Sequence, residues 1–544
     1  MTDHTISDRA PADPPPDENR KWILAVLCLS LLIVVVGNTV VNVTLPRLAS
    51  PQELGATGTQ LQWIVAAYAL VFAGLLLTAG ALGDRYGRKG ALTIGLVIFG
   101  LTSLAAMFAQ TAGQLIAARA VMGVGAALIM PATLSILVNV FPPQERAKAI
   151  ATWAGVAGGG AALGPITGGW LLEHFYWGSV FSVNLPLIVI ALVAGRLLVP
   201  TSRDPHETPL DPIGAGLSIV GLTALLYGII EAPERGWTSP FTLGCFVVAI
   251  VVLVAFARYE LRTTNPMLDL QFFRNRTLSG GSIAVTLNFF ALFGAFFLLT
   301  QYLQFVQGYS PLQAGVRTLP MAAVMVLVSP RSAAVAARFG TKQTVATGLS
   351  VVAVGLLLMS RLDVETSYGF IALALVVTAL GMGLTMPPAT SAIMSGVPMA
   401  KAGVGSALND TTRELGGSLG VAVIGSVFSS VYGSSIKNSL TGLPAEVSEV
   451  ARSSVGGAIA MSGELGAAGQ QLGAAARLAF VDGMHKSLLV AAVSSLVASA
   501  FAWWLLPSVV AHGRGEIPAH PATRIDGQPD GQPAHAGAVD MDIA

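Results

Sequence analysis

The sequence predicts an all-α integral membrane protein with fourteen spanning helices, and three observations carry that reading. Of 544 residues, 53% are hydrophobic and 11% charged, against roughly 25% charged in soluble domains. Mean hydropathy is +0.69. Too few polar side chains exist to coat a globule, so lipid must be the main solvent. The apolar residues also fall in runs close to the ~20 residues a helix needs to cross a bilayer. Finally, Lys and Arg gather in alternate loops.

Taken in order, the first run is Trp22–Pro46, behind an acidic, proline-rich tail, 1–21. It is long enough to span, so no cleavable leader is read there. Gln60–Ala81, Ala91–Ala109, Gln114–Val140, Ala147–Leu172 and Val180–Val199 complete a first six-helix set within 22–200. Ile213–Ile230 and Phe241–Arg258 form an inserted pair within 210–260. A second set within 278–507 comprises Leu278–Val306, Ala314–Ala336, Gln343–Met359, Phe370–Ser395, Gly403–Val431 and Ser487–Leu506. One long loop, 432–486, is expected outside, where Leu472, Leu478 and Phe480 predict a short amphipathic surface helix. The tails 1–21 and 508–544 read as disordered, being rich in Pro, Gly, Asp and His.

Orientation follows from the cations. Arg20 and Lys21; Arg85, Arg88 and Lys89; Arg146 and Lys148; Arg203; Arg258 and Arg262; Arg338 and Lys342; and Lys401 fall in alternate loops. The positive-inside bias places these loops and both termini in the cytoplasm, which requires an even number of spans; fourteen fits and thirteen does not. A net charge of +1 gives no reason to expect a nucleic-acid partner. Cys28 and Cys245 sit in apolar runs and read as small core hydrophobes. The seven histidines form no metal-spaced group within the spans, so neither metal nor cofactor is expected. The partners expected are the bilayer, a small-molecule substrate and protons, with the chain a monomer.

A duplication is visible inside the chain. GALGDRYGRKG runs from Gly80 to Gly90, and AAVAARFGTKQ from Ala333 to Gln343 at the equivalent loop of the second set. Arg338, Phe339, Gly340 and Lys342 fall on Arg85, Tyr86, Gly87 and Lys89, while Ala337 replaces Asp84. Such repeats place substrate at their interface and alternate access by rocking one half on the other.

Gly80 to Lys89, with Gly83, Asp84, Arg85, Gly87 and Arg88 between them, resembles the loop signature of the major facilitator superfamily. The glycines let two helix ends approach closely. The resemblance implies the family fold, two six-helix bundles plus the two inserted helices, and a latch that closes the inner side. A plain positive-inside anchor is the alternative.

Other motifs are similar to those of that superfamily's fourteen-span drug:proton antiporters, notably exporters of quaternary ammonium compounds and dyes. LIAARAVMGVGAA, Leu115–Ala127, places Arg119 inside an apolar helix. An unpaired guanidinium there costs somewhere from about 3 to more than 10 kcal/mol, so Arg119 must face the interior. The resemblance implies a part in proton transfer; a structural tie between helices is the plainer role. GGGAALGPITGGW, Gly158–Trp170, carries Gly160, Gly164, Pro165, Gly168 and Gly169. It resembles the signature of antiporters rather than importers, although glycines four apart also serve simple helix packing. TVVNVTLP (Thr39–Pro46), HFYWGSVFSVNLP (His174–Pro186) and EAPERGW (Glu231–Trp237) match the same family in combination.

One departure matters. Relatives usually carry an aspartate where this chain has Gly37, followed by Asn38. Neither residue gains or loses charge, so another acid must carry protons if any does. SALNDTTRELGGSLG, Ser406–Gly420, supplies Asp410 and Glu414 on one helical face with Arg413 between them. A salt-bridged helix start is the alternative there. For substrate, Asn288, Phe289, Phe293, Phe297 and Gln301 recur at near-helical spacing, and Asn38, Asn42, Trp63 and Tyr68 join them as an expected cavity wall. Ordinary helix packing competes with that reading. The expectation is a proton-coupled exporter of lipophilic or amphipathic molecules in the cytoplasmic membrane. Its rivals are a dedicated exporter of one endogenous metabolite, which Gly37 favours, and an uncoupled facilitator.

Overall fold

A computed structural model of the protein describes residues 19–202, 211–397, 402–463 and 466–508. The two expected tails (but for their inner ends) and the cations Arg203 and Lys401 lie outside the described residues. The first bundle comprises α1 (Arg20–Leu48), α2 (Gly58–Tyr86), α3 (Arg88–Met107), α4 (Ala112–Val140), α5 (Pro143–His174) and α6 (Asn184–Leu198). The inserted pair is α7 (Pro212–Arg235) and α8 (Pro240–Glu260). In the second half come α9 (Arg276–Gln301), α10 (Pro311–Arg317), α11 (Leu319–Phe339), α12 (Thr341–Met359), α13 (Tyr368–Ser395) and α14 (Ala402–Ile436). Two short helices, α15 (Ala445–Ser453) and α16 (Val455–Ser462), then lead to α17 (Gly466–Leu505).

Local chemistry starts and stops these helices where the runs begin and end. Thr57 and Ser310 close capping boxes with Gln60 and Gln313, which satisfies amide donors that a helix start leaves free. Asp211, Ser239 and Asn275 cap α7, α8 and α9. The α2–α3 and α11–α12 junctions turn on Gly87 (φ +119°) and Gly340 (φ +89°), a region that only glycine enters freely.

Thirteen stretches of the described residues are helical, long and apolar enough to cross a membrane. The one predicted span missing from these is the fifth, α5, helical over 32 residues and packed along α1. Its many glycines dilute its apolar content, so composition passes it over. The tenth predicted span is one crossing built from α10 and α11, broken at Thr318 just before Pro320. The expected surface helix around Leu472–Phe480 needs correction. Those residues belong to the first turns of α17, a single 40-residue helix, and Leu472 and Phe480 are buried. Leu472 and Phe480 pack into the bundle and so extend the last span, while Leu478 faces outward at 58% exposed.

Packing within α1–α6 and within α9–α14 with α17 builds two bundles, and the inserted α7 lies against both through α2 and α14. Beyond it, α8 packs on α7 and turns Leu243, Val247, Ile250 and Val251 outward. The bundles meet along two seams, α2 on α14 and α5 on α10. Gln62 Nε2 donates to Ser429 Oγ (3.3 Å), and Ser426 Oγ donates to Gln62 Oε1 (3.3 Å). Gln304 Nε2 adds a bond to the Val43 carbonyl (3.0 Å). These contacts all lie toward the Thr57 and Ser310 end of the molecule, opposite the Gly87 and Gly340 junctions.

The duplication extends to detail. At Gly87, the Arg88 amide bonds the carbonyl of Ser202 (3.0 Å), on the chain leaving the sixth helix of its bundle. Gly340 lies against the carbonyl of Ser508, on the chain leaving α17, the sixth span of the other bundle. The guanidinium before each junction stands 5.4 Å from the neighbouring ring, Arg85 over Tyr86 and Arg338 over Phe339.

Candidate functional site

Arg119 is the centre of the first bundle. It is 0% exposed, the largest fully buried side chain among the described residues. Its Nε donates to the Ile64 carbonyl (3.1 Å), Nη1 to the Gly37 carbonyl (3.1 Å), and Nη2 reaches Asn38 Oδ1 (3.5 Å). Its Cζ stands 4.3 Å from the centroid of the buried Tyr68 ring. One guanidinium thus ties α4 to α1 and α2, and a planar fork of five donors is suited to such bridging.

The missing acid of the first span has a structural counterpart. A Cβ on Gly37 would stand 2.7 Å from Phe99 Cζ and 3.1 Å from Asn184 Nδ2. Position 37 therefore faces α3 and the start of α6, inside the bundle. Asn184 is itself fully buried with neither amide atom bonded. Its place in the NLP triplet was visible in the sequence, but nothing local marked it as unpaired.

On α14, Asp410 pairs with Arg413 at 3.6 Å, and Arg413 stands 4.8 Å from the Phe289 ring. Phe289 and Phe293 pack on each other at 5.7 Å, with Gly417 of α14 against Phe293. Glu414 is half-buried, and its Oε2 is buried without a hydrogen-bond partner. That carboxyl belongs to α14, which packs along α2, the helix that carries Tyr68.

Other expected wall residues separate. Trp63 packs toward the inserted helix, 5.7 Å from Tyr227. Asn288 is buried and donates to Met386 Sδ (3.3 Å). Phe297 and Gln301 are both buried, the latter donating to the Phe297 carbonyl (2.8 Å). Asn42 is half-buried on α1. The polar seam residues Gln62, Ser426 and Ser429 escaped sequence reasoning, although a glutamine inside an apolar run was a usable signal.

In the loop motif, Arg88 Nε binds Asp84 Oδ1 at 2.7 Å, and Ser135 Oγ of α4 donates to the same oxygen (3.1 Å). Lys89 Nζ donates to the Arg196 carbonyl at the end of α6 (2.9 Å). Gly80 lies against Pro131 and Gly83 against Ala91. The motif here braces its own bundle.

The glycine motif of α5 works on two faces. Gly160, Gly164 and Gly168 bring α5 against Leu32, Thr39 and Val40 of α1. Gly169 instead meets Leu312 of α10, where a Cβ would lie 2.6 Å from the Leu312 Cα, and the Pro165 carbonyl crowds Gly315. Gly169→Val is expected to weaken this seam by about 1–3 kcal/mol, the usual penalty of overpacking. Spin-label distances between α5 and α10 should lengthen in the variant; an unchanged distribution would contradict the assignment.

Two helical bundles packed along two seams, with a guanidinium buried inside the first, define the architecture of a membrane transporter. A family profile described as Major Facilitator Superfamily matches residues 27–421. Over 484 residues the chain is 40% identical to "Multidrug efflux pump LfrA" of Mycolicibacterium smegmatis, covering 88% of this chain and 95% of that one. It is 36% identical to "Methyl viologen resistance protein SmvA" of Salmonella typhimurium, with 89% and 98% covered. Among solved structures, an inward-facing bacterial homologue of the lysosomal transporter Spinster superposes with a TM-score of 0.64 at 18% identity, with 90% and 97% covered. The chain belongs to the Major Facilitator Superfamily. It is a multi-pass membrane transporter, not an enzyme.

Proposed function

We propose that the chain is a proton-driven exporter of lipophilic or amphipathic molecules, working as a monomer in the cytoplasmic membrane with both termini inside. The observation that carries this reading is Glu414, half-buried with a carboxyl oxygen that lacks a partner, on α14, the helix that packs against α2 of the opposite bundle. A carboxyl placed between bundles that separate and rejoin changes surroundings in each cycle, and its proton occupancy follows. One charge crossing 100 mV supplies about 2.3 kcal/mol, enough to bias such a cycle. Relatives named for multidrug efflux and methyl viologen resistance support a broad substrate class that includes flat organic cations. Phe289 and Phe293 beside Arg413 offer such molecules an apolar wall with a polar rim. The positive-inside loops put the Asp84 end in the cytoplasm, so the closed seam faces outward and substrate enters from within. Asp84, Arg88 and Ser135 would then serve as the inner latch when the cycle reverses.

Purified protein in liposomes under an imposed pH gradient tests this. Accumulation of a lipophilic cationic dye, abolished by collapsing the gradient, is expected. Transport indifferent to the gradient would leave an uncoupled facilitator as the better reading.

A further inference from the structure

The geometry points to a proton-binding site at the foot of the inserted hairpin, where Asp211 and Glu260 share one proton and so clasp the linker 261–269 that leads to the second bundle. Both side chains are buried, at 6% and 3% exposed. Glu260 Oε1 and Asp211 Oδ2 converge over Gly214, where a Cβ would lie 2.4 Å from the first and 2.5 Å from the second. Three of their four oxygens accept amide hydrogens. Asp211 Oδ1 takes Gly214 N–H (2.7 Å), Asp211 Oδ2 takes Met267 N–H (3.3 Å), and Glu260 Oε2 takes Leu268 N–H (3.0 Å). The fourth, Glu260 Oε1, is buried with no partner.

A proton on Oε1, donated toward Asp211 Oδ2, completes the set. Two neighbouring buried carboxylates, with no cation between them among the described residues, do not both remain ionised. A metal fits poorly, because hard cations need several free oxygen ligands and amide hydrogens already occupy three here. Among the described residues no group of three or more His, Cys, Asp or Glu stands ready to hold one. The neighbouring charges do not substitute. Arg258 and Arg262 on the same segment are exposed, Tyr259 is half-buried, and Asp269 caps Gln271; α7 carries no charge before Glu231. Residues 203–210 lie outside the described residues.

The clasp sits at a mechanical junction. Its linker touches the first bundle through Thr78, which donates to Met267 Sδ (3.2 Å), and α7 touches both bundles. With the proton bound, the linker is held to the hairpin. When the proton leaves to water, two adjacent negative charges remain, and the Met267 and Leu268 amides are released.

The test uses the full-length protein in lipid nanodiscs and does not depend on transport, so it stands apart from the exporter reading. Infrared spectra should carry the C=O stretch of a protonated carboxyl that Glu260→Gln removes. Amide exchange at Met267 and Leu268, corrected for the pH dependence of free-chain exchange, should lose about tenfold in protection on raising pH, the factor equivalent to about 1.4 kcal/mol. Glu260→Gln replaces the hydroxyl by an N–H donor and should stay protected throughout. Asp211→Asn, which keeps the capping oxygen, should also flatten the profile and serves if the first variant fails to fold. Identical pH profiles in wild type and both variants would overturn the proposal. Protection restored at high pH by added magnesium or calcium would overturn the proton in favour of a metal.

Discussion

Arg119→Ala is expected to reduce transport to background in proteoliposomes while the protein still inserts and is recovered in normal amount. The guanidinium holds Gly37 and Ile64 carbonyls and stands over Tyr68. Its removal deletes the donors that join three helices and leaves the buried Gly37 and Ile64 carbonyls without this partner. Breaking one side of a buried charged contact typically costs about 3–5 kcal/mol. Thermal stability of the purified variant should fall accordingly. Arg119→Lys separates the causes. It keeps a positive charge but replaces the planar fork by a point donor. If the buried charge is what counts, Lys retains partial transport with altered pH dependence; if bridging counts, Lys fails like Ala. Full transport by Arg119→Ala would remove this residue from the mechanism.

The second large effect is expected at the acids of α14. Glu414→Gln keeps the shape of the side chain and removes its ability to exchange a proton. Substrate should still bind, but accumulation against its gradient should vanish, together with any response to an imposed pH difference. Downhill exchange of substrate should survive, which distinguishes lost coupling from misfolding. Asp410→Asn is expected to act less directly, because Asp410 already has Arg413 as a partner at 3.6 Å, whereas Glu414 has an oxygen with none. Both substitutions together should eliminate pH-driven transport. A double variant that still concentrates substrate would show that protons are carried elsewhere, with Gly37 excluded on chemistry alone.

Much of the architecture was legible because a bilayer imposes a length and a hydrophobicity on each crossing. The predicted runs coincide with helices, and the loop pair at Gly87 and Gly340 was recognisable from four matching residues. The error around Leu472 and Phe480 has a physical source: an amphipathic stripe reads the same whether it lies on a lipid surface or against another helix. The aromatic stripe of α9 shows the same limit. Phe289 and Phe293 face α14, whereas Phe297 and Gln301 are sealed in the core, because residues four apart drift about 40° per step around a helix.

The α5 motif makes the division plain. Sequence spacing marks Gly160, Gly164, Gly168 and Gly169 alike, but about 100° of helical rotation turns the last away from α1 and onto α10. That one step separates packing within a bundle from contact between bundles.

Run length and residue type by themselves determined that the chain spans a membrane in many helices and that a charge is buried in the fourth, while the repeated loop pointed to two related sets and the family resemblance to a missing first-span acid. Those are local properties of the chain. Tertiary structure alone decided that Arg119 ties Gly37 to Ile64, that position 37 points at Asn184, and that Asp211 lies beside Glu260. Each of these joins residues far apart in the chain, and only the packing of whole helices brings such partners together.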